Sequence, residues 1–300
     1  MRKLTLVMSV LITCLCVQVA ARSLDDTVTE IPFTFEKGYV IVQAKILTKQ
    51  VPAELVLATG AEYSTPDDAM MFKHKLSLSF APDNPKKCDL KNCTFYFTRV
   101  SSISLGNLKP VGQTMRLGSM EKIEQRIGRP VFGMLGADFF KGRVVQFDFT
   151  RKVVRFLPQS PGDASKDKKT LPATARIVLP MAFYAEYTTL PIAEEITFDG
   201  KKIRAVIDTG TAAVVAVSPS ATKKLGLALT PDKSSPRSGS VGILRLGDYE
   251  LTNVPVLFYG KGTGFDRDSA EFGAIVGTGL LQNFVTTFDF RDKVIIFEPI

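Results

Sequence analysis

Apolar positions in this chain come in short runs. VIVQAKI (40–46), VVQFDF (144–149), VVRFL (153–157) and VIIF (294–297) are rich in β-branched and aromatic residues, and glycine, Asn-Leu or Asp-Gly falls between such runs. Runs of this length and composition are strands of a half-buried or buried sheet. Thr197-Phe198-Asp199-Gly200-Lys201 reads as a tight hairpin turn, because Asp-Gly supplies the left-handed backbone such a turn needs. Helical stretches are few; the pattern places them at 67–74, 137–141, 219–225 and 279–284. The expectation is a mostly β protein.

The pattern occurs twice. VIVQAKILTKQVPAELVLATG (40–60) aligns with LPIAEEITFDGKKIRAVIDTG (190–210) at an offset of 150. ISLGNLKPVGQTM (103–115) then aligns with LRLGDYELTNVPVL (244–257), and FGMLGADFFKGRVVQFDFTRKVVRFLP (132–158) with GAIVGTGLLQNFVTTFDFRDKVIIFEP (273–299), both at an offset of 141. The first copy is therefore nine residues longer, and the excess lies between Gly60 and Leu105. A period this long signals a duplicated domain rather than a solenoid. The expected organisation is lobe 1 over 32–158, a Pro-, Ser- and Lys-rich linker over 159–175, and lobe 2 over 176–300.

Ahead of lobe 1, Arg2 and Lys3 precede an apolar run from Leu4 to Val19 and the small residues Ala20 and Ala21. That is the layout of a secretory signal peptide over 1–21, and the run is short for a membrane anchor. It predicts a secreted or periplasmic protein with no membrane span after signal removal. Cys14 and Cys16 would leave with the signal. Cys88 and Cys93 remain, able to close a small local disulfide in an oxidising compartment or to stay as two thiols. Zinc would need further ligands, and the chain has one histidine, His74, so no metal is expected. The net charge of +8 falls to 8 − 2 = 6 without Arg2 and Lys3. Its lysines are scattered, with no aromatic-interleaved basic block, which argues against nucleic-acid binding.

The candidate chemistry sits where the two copies differ. Asp208-Thr209-Gly210 follows the apolar strand 205–207; the first copy reads Ala58-Thr59-Gly60 after 55–57. Each copy later has two apolar residues and a glycine, Met134-Leu135-Gly136 and Ile275-Val276-Gly277, and then Phe147-Asp148-Phe149 or Phe288-Asp289-Phe290. These motifs resemble those of the retropepsin-like and pepsin-like aspartic peptidases, most closely an exported form with two retropepsin-like lobes in one chain. The resemblance covers about residues 32–300. It implies two homologous acid-protease β-barrel lobes around a central cleft. It also implies a peptide or protein substrate and no cofactor. Each lobe would supply one aspartate to a pair that activates water. Asp208 would be the lobe 2 catalytic aspartate, with Thr209 and Gly210 supporting its loop and Thr59 and Gly60 supporting the other.

Ala58 breaks the pattern at the lobe 1 dyad position. Two carboxylates in contact share one proton, so one acts as base toward water while the other polarises the carbonyl. An alanine does neither. Glu62, Asp67 and Asp68 follow the turn and are expected to point away, and Asp138 is expected to cap a helix start. Three readings stay open: a peptidase, weakened or inactive, working through Asp208; a pseudopeptidase that binds extended peptides or a protein partner without cutting; and a pairing of two chains that brings two Asp208 residues together. The first two leave the oligomeric state open.

Overall fold

The computed structural model describes residues 28–47, 49–75, 78–79, 97–158, 176–184, 187–226, 236–260 and 271–300. The signal-like segment 1–21, the linker 159–175, Cys88 and Cys93 lie outside the described residues. The described chain is mostly strand with a few short helices, arranged as two lobes.

The lobes share one antiparallel sheet of six strands. Its spatial order is Thr29–Glu36, Val153–Leu157, Val144–Asp148, Phe284–Asp289, Val294–Pro299 and Ile177–Tyr184. At its centre the two Phe-Asp strands pair with each other, Val144 opposite Asp289 and Asp148 opposite Val285. Gln146 therefore meets Thr287, the residue 141 positions on, and its amide donates to the Thr287 hydroxyl at 3.0 Å. A local twofold axis relating the lobes runs through that pair. Beneath the sheet the phenylalanines of both lobes interlock. Phe140 stacks on Phe290 with ring centres 6.3 Å apart, and Phe147 meets Phe288 edge-on at 5.8 Å. Each such buried ring stabilises the junction by roughly 1.5–3 kcal/mol. The aspartates of the two Phe-Asp-Phe motifs serve their hairpin turns: Asp148 accepts from the Arg151 amide, and Asp289 from the Arg291 and Asp292 amides.

Each lobe then builds its own sheet around a threaded strand. In lobe 1, Gly133–Leu135 runs parallel to Val51–Leu57 and antiparallel to Thr65–Pro66. In lobe 2, Ala274–Gly277 runs parallel to Ala205–Asp208 and antiparallel to Val215–Val217. The apolar-apolar-Gly segment thus lies between the strand that ends in the triplet and the strand that follows it. Both of its backbone edges are therefore paired, and its side chains alternate, with Leu135 and Val276 fully buried and Met134 and Ile275 partly so. Its glycine is required by closeness: a Cβ at Gly136 would come within 2.6 Å of the Ala61 carbonyl oxygen, and one at Gly277 within 2.3 Å of that of Thr211.

The local expectations are met unevenly. The helices Asp68–Lys73, Ala137–Phe140 and Pro219–Leu225 lie where the pattern puts them, and Asp199 and Gly200 turn the hairpin with positive φ. The expected helix at 279–284 is shorter and earlier, Thr278–Leu281, because Phe284 already starts a sheet strand. Glu121–Ile127 is a helix the sequence reading passed over. Its signals were present: acidic residues in the first turn, Arg126 in the last, and Gly128 in a left-handed cap.

Candidate functional site

The two triplet loops meet on the twofold axis. Thr59 and Thr209 lock them together in four reciprocal hydrogen bonds. The Thr59 hydroxyl donates to the Ile207 carbonyl at 2.9 Å and accepts from the Thr209 amide at 3.0 Å. The Thr209 hydroxyl donates to the Leu57 carbonyl at 2.8 Å and accepts from the Thr59 amide at 3.1 Å. Both threonines are fully buried, so each hydroxyl satisfies main-chain groups that water cannot reach.

Gly60 and Gly210 allow this approach. Neither has a positive φ, so a left-handed turn is not what calls for glycine at these places. The constraint is steric: a Cβ at Gly60 would lie 2.5 Å from Asp208 Cβ, and one at Gly210 would lie 2.5 Å from Ala58 Cβ. These matching clashes also locate residue 58. Ala58 stands to Gly210 as Asp208 stands to Gly60, across the same axis.

Asp208 ends its strand at the floor of this junction, 8% exposed. Its Oδ1 accepts from the Gly210 amide at 2.7 Å and from the Gly60 amide, across the lobe boundary, at 2.8 Å. Its Oδ2 accepts from the Thr211 hydroxyl at 2.6 Å. Both loop amides therefore converge on the single carboxylate. Thr211 is a site residue that the sequence reading passed over, although a hydroxyl three positions past the aspartate was its signal. Thr278, also passed over, ties the lobe 2 loop to the lobe 1 hairpin by donating within hydrogen-bond reach of both Gly38 O (2.6 Å) and Thr211 O (3.0 Å).

The other acids are employed elsewhere. Asp67 caps the helix Asp68–Lys73 and also accepts from the Met120 amide at 2.9 Å. Asp68 accepts from the Ala69 amide. Glu62 acts electrostatically on Arg116, whose guanidinium lies 6.0 Å from the Tyr63 ring centre; burial lowers the pKa of Arg116, while Tyr63 and Glu62 oppose that shift. Asp138 lies in the first turn of its helix as expected and accepts from the Phe139 amide there at 2.8 Å, although Gly136 holds the cap position itself. It also accepts from the Ser64 amide at 2.8 Å, the Ser64 hydroxyl at 2.6 Å and the Gln113 amide at 2.9 Å. Ser64 in turn accepts from the Gly136 amide at 3.0 Å, so Asp138 braces the lobe 1 loop from behind.

Burial pushes the Asp138 carboxyl above the usual carboxylate range, against the pull of those hydrogen bonds. Between the ordinary value and the raised one, the folded chain holds a proton that the unfolded chain has released. Asp138's contribution to stability is thus fully present below the ordinary value and is lost as pH rises through the folded one. Asp138→Asn is expected to flatten that part of the curve of melting temperature against pH. Parallel curves for the two proteins would contradict it.

No protein-family model matches the chain, and no curated protein does. Solved structures do. A crystal structure of conglutin gamma, a basic 7S globulin from lupine seeds, superposes with a TM-score of 0.54 at 12% identity, over 91% of this chain and 95% of that one. The aspartic proteinase from Irpex lacteus superposes with a TM-score of 0.52 at 12% identity, over 91% of this chain and 97% of that one. The fold is that of the pepsin-like aspartic proteinases.

Proposed function

We propose that this chain is an exported pseudopeptidase: a two-lobe cleft of aspartic-proteinase fold that holds extended peptide segments, or an extended segment of a partner protein, and does not cut them efficiently. The observation that carries the reading is the methyl group of Ala58 at the place opposite Asp208. Hydrolysis by this fold needs a base toward water and an acid toward the carbonyl oxygen. Asp208 can serve as one of them and nothing at residue 58 serves as the other. Loss of one member of such a set typically costs several orders of magnitude in rate.

Retention of the rest supports a cleft still in use. Thr59, Gly60, Gly136 and the threonine lock persist in the lobe that has lost its carboxylate. The fold alone does not choose between chemistries, since its neighbours here include both a proteinase and a seed globulin. Residual hydrolysis through Asp208 is the second reading, favoured by the hydrogen bonds that its own loop gives this carboxylate. Export rests on the signal-like segment 1–21, and the proposed units remain 32–158 and 176–300 joined by 159–175.

The test is amide hydrogen exchange on the chain lacking 1–21, with and without a mixture of blocked octapeptides. Protection concentrated in 58–63 and 208–213, with the peptides recovered intact, is the expected result. Peptide-dependent protection confined to other surfaces would overturn the cleft assignment.

A further inference from the structure

We infer that the cleft takes an ammonium group at its floor: a lysine side chain of the bound peptide. This rests on the binding reading above and names the ligand chemistry for that same cleft.

The floor holds a carboxylate with no counter-charge. Asp208 is more than nine-tenths buried, and its three hydrogen bonds come from two amides and a hydroxyl, all neutral. Among the described residues no cation pairs with it. Arg116, beside the lobe 1 loop, has its electrostatic partners in Glu62 and Tyr63. A peptide laid across the floor strips the remaining water from this carboxylate. Burying an ionised group without a counter-charge is strongly unfavourable, and a neutral peptide backbone does not supply one. In a floor with two aspartates, a proton shared between the carboxyls answers the same problem. Here the second carboxyl is a methyl, so no shared proton answers it and the counter-charge has to come with the ligand.

The hydrogen-bond count selects the kind of cation. Oδ1 already accepts two N–H groups, whereas Oδ2 accepts one hydroxyl and keeps one acceptor direction. A guanidinium binds a carboxylate best through both oxygens, but an ammonium needs only one. The chain's net charge of +8 works against general attraction of basic peptides, so a lysine preference would have to come from the site.

The experiment measures binding of blocked octapeptide sets that differ only at a central position: lysine, arginine, norleucine or glutamate. Lysine is expected to bind tighter than norleucine by about tenfold or more, and tighter than arginine by less. The lysine advantage should vanish in Asp208→Asn. On the unaltered protein, lysine peptides should shift the Gly60 and Gly210 amide resonances more than norleucine peptides do, a readout independent of how the variant folds. Equal binding of lysine and norleucine overturns the inference and leaves the cleft reading standing. So does tighter binding of glutamate or arginine, or a lysine advantage that survives Asp208→Asn. Failure of every set to bind overturns both.

Discussion

Ala58→Asp is expected to turn this protein into a peptidase. The substitution adds one carboxyl at a place that is otherwise complete. Thr59 and Thr209 already hold the two loops in register, and Gly60 and Gly210 already allow the close approach. Gly60 lies two residues past Ala58, as Gly210 lies two past Asp208, so its amide, which here donates to Asp208, would be shared with the new carboxylate or pass to it. One difference remains: Ala61 stands where Thr211 stands in lobe 2, so the new group has no hydroxyl partner of that kind. Cleavage should rise at least roughly 10³-fold above the unaltered protein, the scale on which removing one member of a catalytic set acts. The pair should titrate as a unit, with activity confined to the pH window in which it holds one proton. A rate profile falling on both the acid and the neutral side would show this. A profile with a single inflection would contradict proton sharing.

Thr209→Ala is expected to loosen the floor with little effect elsewhere. It removes the hydroxyl that serves the Leu57 carbonyl and the Thr59 amide, both across the lobe boundary. Leaving buried main-chain groups without a partner costs about 1–3 kcal/mol each. Thr209→Ser keeps the hydroxyl and should recover most of the loss. The double variant Thr59→Ala, Thr209→Ala should fall short of the sum of the two singles, because either change already slackens the shared lock. Denaturant unfolding of the four proteins gives the cycle. An alanine variant as stable as the unaltered chain would mean that the lock contributes nothing.

Much of the fold was legible because the sequence pattern recurs along the chain, which supplies an internal control. Strand-like runs at matching offsets identify two similar units even where each run is weak. The central Gln146–Thr287 pairing follows the same 141 offset. What could not be read was geometry set by the other lobe. Gly60 and Gly210 look like turn residues in sequence, yet the neighbour that demands glycine is 148 or 152 positions away across the axis. Likewise Gly60 donating to Asp208 is a cross-lobe contact that no local pattern announces. Asp138 was legible only in part for a related reason. Its place in the first turn of a helix was local and visible, whereas Ser64 and Gln113, distant in sequence, also claim its oxygens. The helix Glu121–Ile127 was a different failure, since its signals were local and were passed over in a chain that reads as strands.

Residue 58 as the missing partner of Asp208 is tested most directly by one digestion. The unaltered chain, Ala58→Asp and Ala58→Asp with Asp208→Asn are each incubated with the same peptide mixture from acidic to neutral pH, and new termini are counted by mass spectrometry. The account predicts intact peptides with the first, cleavage with the second, and intact peptides again with the third. Cleavage by the unaltered chain at the rate of Ala58→Asp would contradict it, because the floor would then be working without the carboxylate it is said to lack.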